Sequence, residues 1–335
     1  MKAVRLVGFG DPPKFELQDV PDPVPGPGQV VIDLRAAAFN RRDPWVWTTR
    51  GYCKLPVTLG SDGAGVVSAV GAGVDGVKPG DEVVFDPTLG WGDSEEHPTP
   101  QFDILGAPTD GTFAERVVVA AANVAAKPAR LSWDEAAALN LGGLTAWRAT
   151  VTCAGVGPGR TILVTGAGSG VSTFVIQIAV AHGARVFVTS SNEEKLRRAR
   201  ALGAEAGASY LQPDWPDRIA ELAGGGLDAA VDSYGGPSWD GALRTLRVGG
   251  RLVSFGDTSG PETTLTTNEI YWQWRSVIGT SMGSPREYRA LLAHVEDPPW
   301  RPVIDSVFPL EQIDAAVTRL GSGDRFGKVV LSIGA

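Results

Sequence analysis

Residues 161–191 constrain this chain more than any other stretch. The apolar run Thr161-Ile162-Leu163-Val164-Thr165 leads into Gly166-Ala167-Gly168-Ser169-Gly170, a helical stretch follows over 171–181, and a second apolar run over 184–189 ends at Ser190-Ser191. Strand, glycine loop, helix and second strand at this spacing make a βαβ unit of a parallel sheet. Glycines allow a tight turn and a close approach of backbone to a diphosphate, whose charge is met by the free N–H groups and positive dipole end of the next helix. The motif predicts a dinucleotide site at Gly166, Gly168, Ser169, Gly170 and Val171. The context carries this reading, because 43 glycines make a bare Gly-x-Gly match uninformative. Ser172 takes the place of a third glycine, a departure small enough in volume for helix to lie on strand.

The end of the second strand sets the expected nucleotide. A carboxylate there would bind an adenosine 2′-hydroxyl and repel a 2′-phosphate. The chain instead has Ser190, Ser191 and Asn192, with Lys195 close behind. Hydroxyls and a nearby cation suit a phosphate, so NADPH is expected over NADH. Arg197 and Arg198 read better as a solvated helix face.

At 335 residues the chain is long for one domain, and two are expected. With 43% apolar and 20% charged residues it can bury large cores. No run approaches the roughly 18 apolar residues of a membrane span. The N-terminus reads as a strand rather than a cleavable signal, which gives a cytoplasmic expectation. Two cysteines, Cys53 and Cys153, supply neither a disulfide framework nor a four-cysteine zinc site. A net charge of −8 argues against nucleic acid and anionic membranes as partners and leaves small molecules.

Short β-branched runs such as 29–37, 63–71, 81–85 and 114–120 make the first part β-rich, without a long helical period. A loop over 86–112, carrying Trp91, Asp93, Glu95, Glu96 and His97, is long enough to suggest function. From Leu131 the pattern turns helical, opening on a Ser132/Glu135 capping box. Strands and helices then alternate as in a doubly wound parallel sheet, and the tail brings a last helix and strand that look like part of the first domain. The expected division is 1–123 with 284–335, and 124–283. The fold class is α/β. In open sheets of this kind ligands lie beyond the carboxyl ends of strands, which places Ser233, Tyr234, Phe255 and Gly256 toward the dinucleotide.

Several segments in order carry a family resemblance over nearly the whole chain: Phe39-Asn40-Arg41-Arg42-Asp43, Leu59-Gly60-Ser61-Asp62-Gly63, Val77-Lys78-Pro79-Gly80-Asp81, Gly143-Leu144-Thr145-Ala146 and Phe326-Gly327-Lys328-Val329-Val330. The chain resembles the medium-chain dehydrogenase/reductase superfamily, in particular its zinc-independent quinone and enone reductase branch. The resemblance implies a GroES-like β-rich catalytic domain and a Rossmann domain. It also implies that zinc-type members have a cysteine where Asn40 stands, a histidine-glutamate pair at Ser61-Asp62, and a further cysteine near Gly142. Zinc is held by thiolate, imidazole or carboxylate, so no catalytic metal is expected here. The loop 86–112, where such members keep four cysteines, has none. Its acids and His97 read as solvated.

Without a Lewis acid, alcohol oxidation loses the group that acidifies the hydroxyl. Hydride addition to a quinone or enone needs only a polarised carbonyl and one proton. The resemblance implies Tyr52 as an active-site tyrosine, Thr145 beside the nicotinamide, and the tail residues Phe326 and Lys328 reaching the cofactor. Asn40 and Asp43 lie at the bend where the family's cleft opens. Two readings of them stay open, substrate orientation and a helix cap, which Asp43 before Pro44 suits. Among ten tryptophans, Trp47 and Trp91 are the candidates for lining a flat apolar pocket. A homodimer through an edge strand at 276–282 is implied as well. Rival readings are a pathway-specific acyl or polyketide reductase, a non-catalytic NADPH sensor and a zinc alcohol dehydrogenase.

Overall fold

The computed structural model describes residues 1–296 and 300–334. Two compact units are present, one formed by 1–142 and 284–335, the other by 143–283. The boundary lies at Gly142 rather than at the expected 123/124. The reason is local: Asn140 donates to Gly63 O and Leu141 N–H to Asp62 Oδ1, which binds this part of the helix Trp133–Trp147 to the β-rich unit. The Ser132/Glu135 box at its start forms reciprocally, at 2.9 and 3.2 Å.

The first unit is built on a seven-stranded sheet with Gln29–Ala38 near its middle. That strand pairs antiparallel with Asp62–Val70, with Arg116–Ala120 and with the tail strand Lys328–Ser332. The expected return of the tail is therefore present. Alternating apolar residues of these strands, such as Ile32, Leu34 and Leu331, meet Phe39, Phe85 and Phe113 in one core. A smaller sheet joins Lys2–Gly8 to Lys14–Asp19 and Val57–Thr58.

The loop 86–112 contains a two-stranded ribbon, Thr88–Leu89 with Asp103–Ile104. Trp91 lies inside this lobe, 3% exposed, edge-on to Phe102 at 5.8 Å, with its indole N–H on Ser94 O. Trp47 is likewise part of the first unit's core and meets Phe15 edge-on. Both rings expected to line a pocket are packed among aromatic neighbours and nearly enclosed, at 4% and 3% exposed.

The second unit is a six-stranded, fully parallel sheet. Counted in chain order its strands lie 3-2-1-4-5-6, the doubly wound arrangement. Thr161–Val164 is central, between Arg185–Ser190 and Leu227–Asp232, and reads as a continuous apolar run because both faces are covered. Ser276–Gly279 forms the outer edge. A short helix, Thr267–Tyr271, precedes it. No helix among the described residues is long and apolar enough to cross a membrane.

Candidate functional site

Two places collect the candidate residues, one in each unit. In the second unit the strand Thr161–Val164 ends in a loop where Gly166 and Gly168 have φ of 65° and 111°, conformations that other residues seldom adopt. A Cβ at Gly166 would collide with the Tyr234 ring, so the loop lies flat against that side chain. Ser169 caps the helix Gly170–Ala181, its Oγ accepting from Ser172 N–H at 3.0 Å. Ser172 Oγ in turn donates to Gly166 O, which fixes the loop onto the helix where the motif lacks its third glycine. Gly170 and Val171 follow at the half-buried first turn. Backbone N–H groups of such a turn suit a diphosphate. The observed turn, with glycines at positive φ and a capped helix start behind it, fits a dinucleotide.

Around it, Asp232 is fully buried at the end of Leu227–Asp232 and accepts from Thr165 Oγ1, Ser238 Oγ and Gly235 N–H at 2.6 to 2.7 Å. These bonds set the Ser233-Tyr234 corner. Phe255 N–H donates to Asp232 O, and Gly256 lies so close to Ser233 O that a Cβ would not fit. Ser190 is buried, its Oγ accepting from Asn192 N–H, and Asn192 caps the helix Glu193–Ala201 through the N–H groups of Glu194 and Lys195. Ser191 is exposed and Lys195 half-buried. Tyr210 approaches from the next strand end, its N–H on Ser190 O and its ring 6.0 Å from Tyr234. Thr145 is buried, with its hydroxyl 3.9 Å from Met282 Sδ. Sequence reasoning missed Asp232 and Tyr210. An acid closing the apolar run LDAAVD was the available signal for the first.

In the first unit three adjacent strands bring Asn40, Asp62 and Lys328 together. Val330 opposes Ala38 and Ala38 opposes Asp62, so the residues at this end of the strands converge. Lys328 Nζ donates to Asn40 Oδ1 at 2.6 Å and to Asp62 Oδ2 at 3.0 Å, and Asn40 Nδ2 donates to the same Asp62 oxygen at 2.9 Å. Lys328, Asp62 and Asn40 are 3%, 0% and 6% exposed. Asp43 Oδ2 accepts from Asn40 N–H at 2.7 Å, whereas its Oδ1 has no partner among the described residues. Burial pushes the Asp43 carboxyl up to about 6, against the Asn40 bond and the charges of Arg42 and Lys328. Asp43 thus makes a cap-like turn bond to Asn40 N–H, and its buried, unpartnered oxygen is what a cap alone does not explain. Ser61 Oγ is spent on Leu105 O at 2.6 Å.

This donor set does not fit zinc. It offers an amide, an engaged hydroxyl and one carboxylate, and an ammonium lies on two of them. Lys328 is bonded inside the first unit, and Phe326 is buried there with its N–H on Asp305 Oδ1.

Tyr52 stands apart from that cluster. Its hydroxyl accepts from Arg42 Nη2 at 3.3 Å and donates to Asp103 Oδ1 at 3.4 Å, and Trp45 meets its ring edge-on. Arg42 also donates to the carbonyls of Ile104 and Ala107. It ties the helix Arg42–Thr48 to the lobe, a role the sequence did not disclose.

Comparison with known proteins follows the same division. Residues 26–129 match the alcohol dehydrogenase GroES-like domain, and 170–297 match the zinc-binding dehydrogenase family. A zinc-type alcohol dehydrogenase-like protein of Schizosaccharomyces pombe is 34% identical over 98% of this chain and 97% of its own length. The human quinone oxidoreductase is 29% identical over 99% and 97%. The crystal structure of an NAD-dependent alcohol dehydrogenase superposes with a TM-score of 0.94 at 43% identity, covering all of both chains. The α/β architecture, the glycine-loop unit and these relatives together make the chain an oxidoreductase of the medium-chain dehydrogenase/reductase superfamily.

Proposed function

We propose that this protein is an NADPH-dependent, zinc-independent reductase that delivers hydride to a quinone or to the activated C=C of an enone. The observation that carries the proposal is the Lys328 ammonium lodged on Asn40 and Asp62, at the positions that resemble zinc-ligand positions. An alcohol is too weak an acid to lose its proton there without a Lewis acid. A conjugated acceptor needs no such help. Bound NADPH would supply the hydride. Gly166, Gly168, Ser169, Gly170 and Val171 would hold its diphosphate, Ser190, Ser191, Asn192 and Lys195 its 2′-phosphate, and Thr145, Ser233, Tyr234, Phe255 and Gly256 the rest.

Hydride addition leaves an enolate or hydroquinone anion that takes up one proton. Tyr52 is the proposed donor, because its phenol is held between Arg42 Nη2 and Asp103 Oδ1, which fixes where its O–H can be presented. Stopped-flow loss of nicotinamide absorbance with a panel of quinones and enones tests the assignment. Tyr52→Phe is expected to lower kcat about 100-fold with little change in NADPH affinity. No turnover with any member of the panel would sink the reading.

A second reading, NAD-dependent alcohol oxidation, draws on the names of the relatives. Alcohol panels with NAD and metal analysis of purified protein separate the two, since stoichiometric zinc lost together with activity would favour the second. We also propose a homodimer through the edge strand Ser276–Gly279, which is flanked by the exposed rings of Tyr271, Trp272 and Trp274. Light scattering that gives a monomer at micromolar concentration would end it.

A further inference from the structure

The first unit's polar centre holds its groups with almost no freedom. Both ends of the Asn40 amide are used, the oxygen by Lys328 and the nitrogen by Asp62. Asp62 has two acceptors and uses both, one oxygen for Lys328 and Asn40, the other for Leu141 N–H at 2.7 Å. Leu141 lies in the helix Trp133–Trp147, one turn before Thr145. Asn40 N–H carries Asp43. One ammonium therefore organises Asn40, and through Asp62 the turn of helix at Leu141.

Charge matters here as much as shape. A carboxylate with no exposed surface is strongly disfavoured unless a cation faces it. Both the cation and the carboxylate are buried in this cluster, so water screens neither. An amide at position 62 would have a single oxygen, too few acceptors for Leu141, Asn40 and Lys328 together.

We propose that Lys328 is a positioning residue for hydride transfer, the fixed cation that sets Asn40, Asp62 and the Leu141 turn, and that it is not a coenzyme ligand. The inference rests on the reductase reading for its substrate only. The tail residue thus acts from inside the first unit. Its effect on the reaction runs through the groups it holds.

The test compares four intact proteins: wild type, Lys328→Arg, Lys328→Met and the doubly neutral Asp62→Asn/Lys328→Met. Each is measured for thermal midpoint, for NADPH affinity by nicotinamide fluorescence, and for kcat and KM with an acceptor that the wild type reduces. Lys328→Met is expected to lose about 100-fold in kcat, the scale on which a roughly 1 Å misplacement of positioned groups acts even at a distance, with NADPH Kd changed less than about 3-fold. Lys328→Arg should recover most of that turnover. The doubly neutral variant should regain the thermal midpoint, since no buried charge is left alone, yet stay slow. It also keeps the test alive if Lys328→Met fails to fold. An NADPH Kd that rises in step with the loss of turnover would make Lys328 a coenzyme ligand and overturn the proposal. So would a doubly neutral variant as fast as wild type, which would leave the lysine a merely structural role. If the wild type oxidises alcohols and reduces no quinone or enone, the reductase reading fails by itself, and the four proteins are compared on alcohol oxidation with the same outcomes decisive.

Discussion

The two candidate sites are built from different material. In the second unit the glycine loop presents backbone: glycines at positive φ, a capped helix start and a corner tied down from behind by Asp232. In the first unit the centre is made of buried side chains: an ammonium, a carboxylate and an amide bonded to one another, with a second carboxylate on Asn40 N–H. Three individual acids in the two units differ in what governs them. Burial lifts Asp43 and Asp86 in the first unit to about 6. In the second unit burial of Asp228 also acts upward, but Thr161 N–H, Arg247 and Arg160 outweigh it and hold that carboxyl at about 2. A backbone site can be altered with the fold left standing, because its donors belong to the chain itself. A side-chain site ties function to stability, because removing one partner strands another away from water.

The sharpest way to break this contrast lies at Arg42. Arg42→Met removes the bonds to the carbonyls of Ile104 and Ala107, at 3.1 and 2.5 Å, and the contact with Tyr52. Urea unfolding should show a loss of about 2–4 kcal/mol, the scale of two carbonyls left without partners. An equally stable variant would show that the first unit tolerates such losses, and the contrast would fail. Next in size is Gly166→Val. The residue has φ of 65° and its new Cβ would meet the Tyr234 ring. Coenzyme binding should weaken by about 2–3 kcal/mol, roughly 30- to 150-fold in Kd, while the first unit's stability is untouched. Fluorescence titration measures the first, and unchanged affinity would remove the loop from the coenzyme site.

Legibility in the sequence follows the same line. The glycine-loop unit, the Ser132/Glu135 box and the return of the tail strand depend on turn chemistry and periodicity, which act over a few residues. The Lys328–Asp62 pair joins positions 266 apart in the chain, and nothing near either residue announces the other. What the sequence offers is a lysine opening the buried strand Lys328–Ser332, a misfit among valines and leucine. The places of Trp47 and Trp91 were hidden for a related reason. Aromatic abundance says that large rings must be placed, and only tertiary packing says whether they face a ligand or a core. The unit boundary at Gly142 was hidden because the helix is continuous through it, and the anchor that assigns its first part comes from Asp62.

A smaller effect sharpens the second-unit side. Ser190 Oγ holds Asn192 N–H at 3.3 Å at the end of Arg185–Ser190. Ser190→Asp places a carboxylate where the proposed 2′-phosphate lies. NADPH should weaken relative to NADH by about tenfold, near 1.4 kcal/mol. Thermal midpoints should stay close to wild type. Unchanged preference would mean that the phosphate is read elsewhere, for which Tyr210 is the nearest unassigned ring.

The smallest effect concerns pH and the first unit alone. Asp86 is buried at the first residue of the 86–112 lobe, and burial lifts it from the ordinary 3.8 to about 6, against its bonds from Thr88 and the charge of Arg289. A carboxyl whose folded value lies above its unfolded one binds its proton more tightly in the native state. Its favourable contribution is therefore complete below about 4 and disappears as pH rises through about 6. Asp43 adds a slope of the same sign. Asp228, held at about 2, changes stability only under more acidic conditions, with the opposite sign. Asp86→Asn keeps an oxygen for Thr88 N–H but cannot ionise. The decline in unfolding free energy between about pH 5.2 and 7 should then shrink by about 1 kcal/mol, with the Asp43 share remaining. Urea titrations across that range measure the slope. A variant that declines as steeply as wild type would mean that Asp86 is solvated well enough to ionise freely, and that the side-chain site's coupling of charge to stability stops short of the lobe.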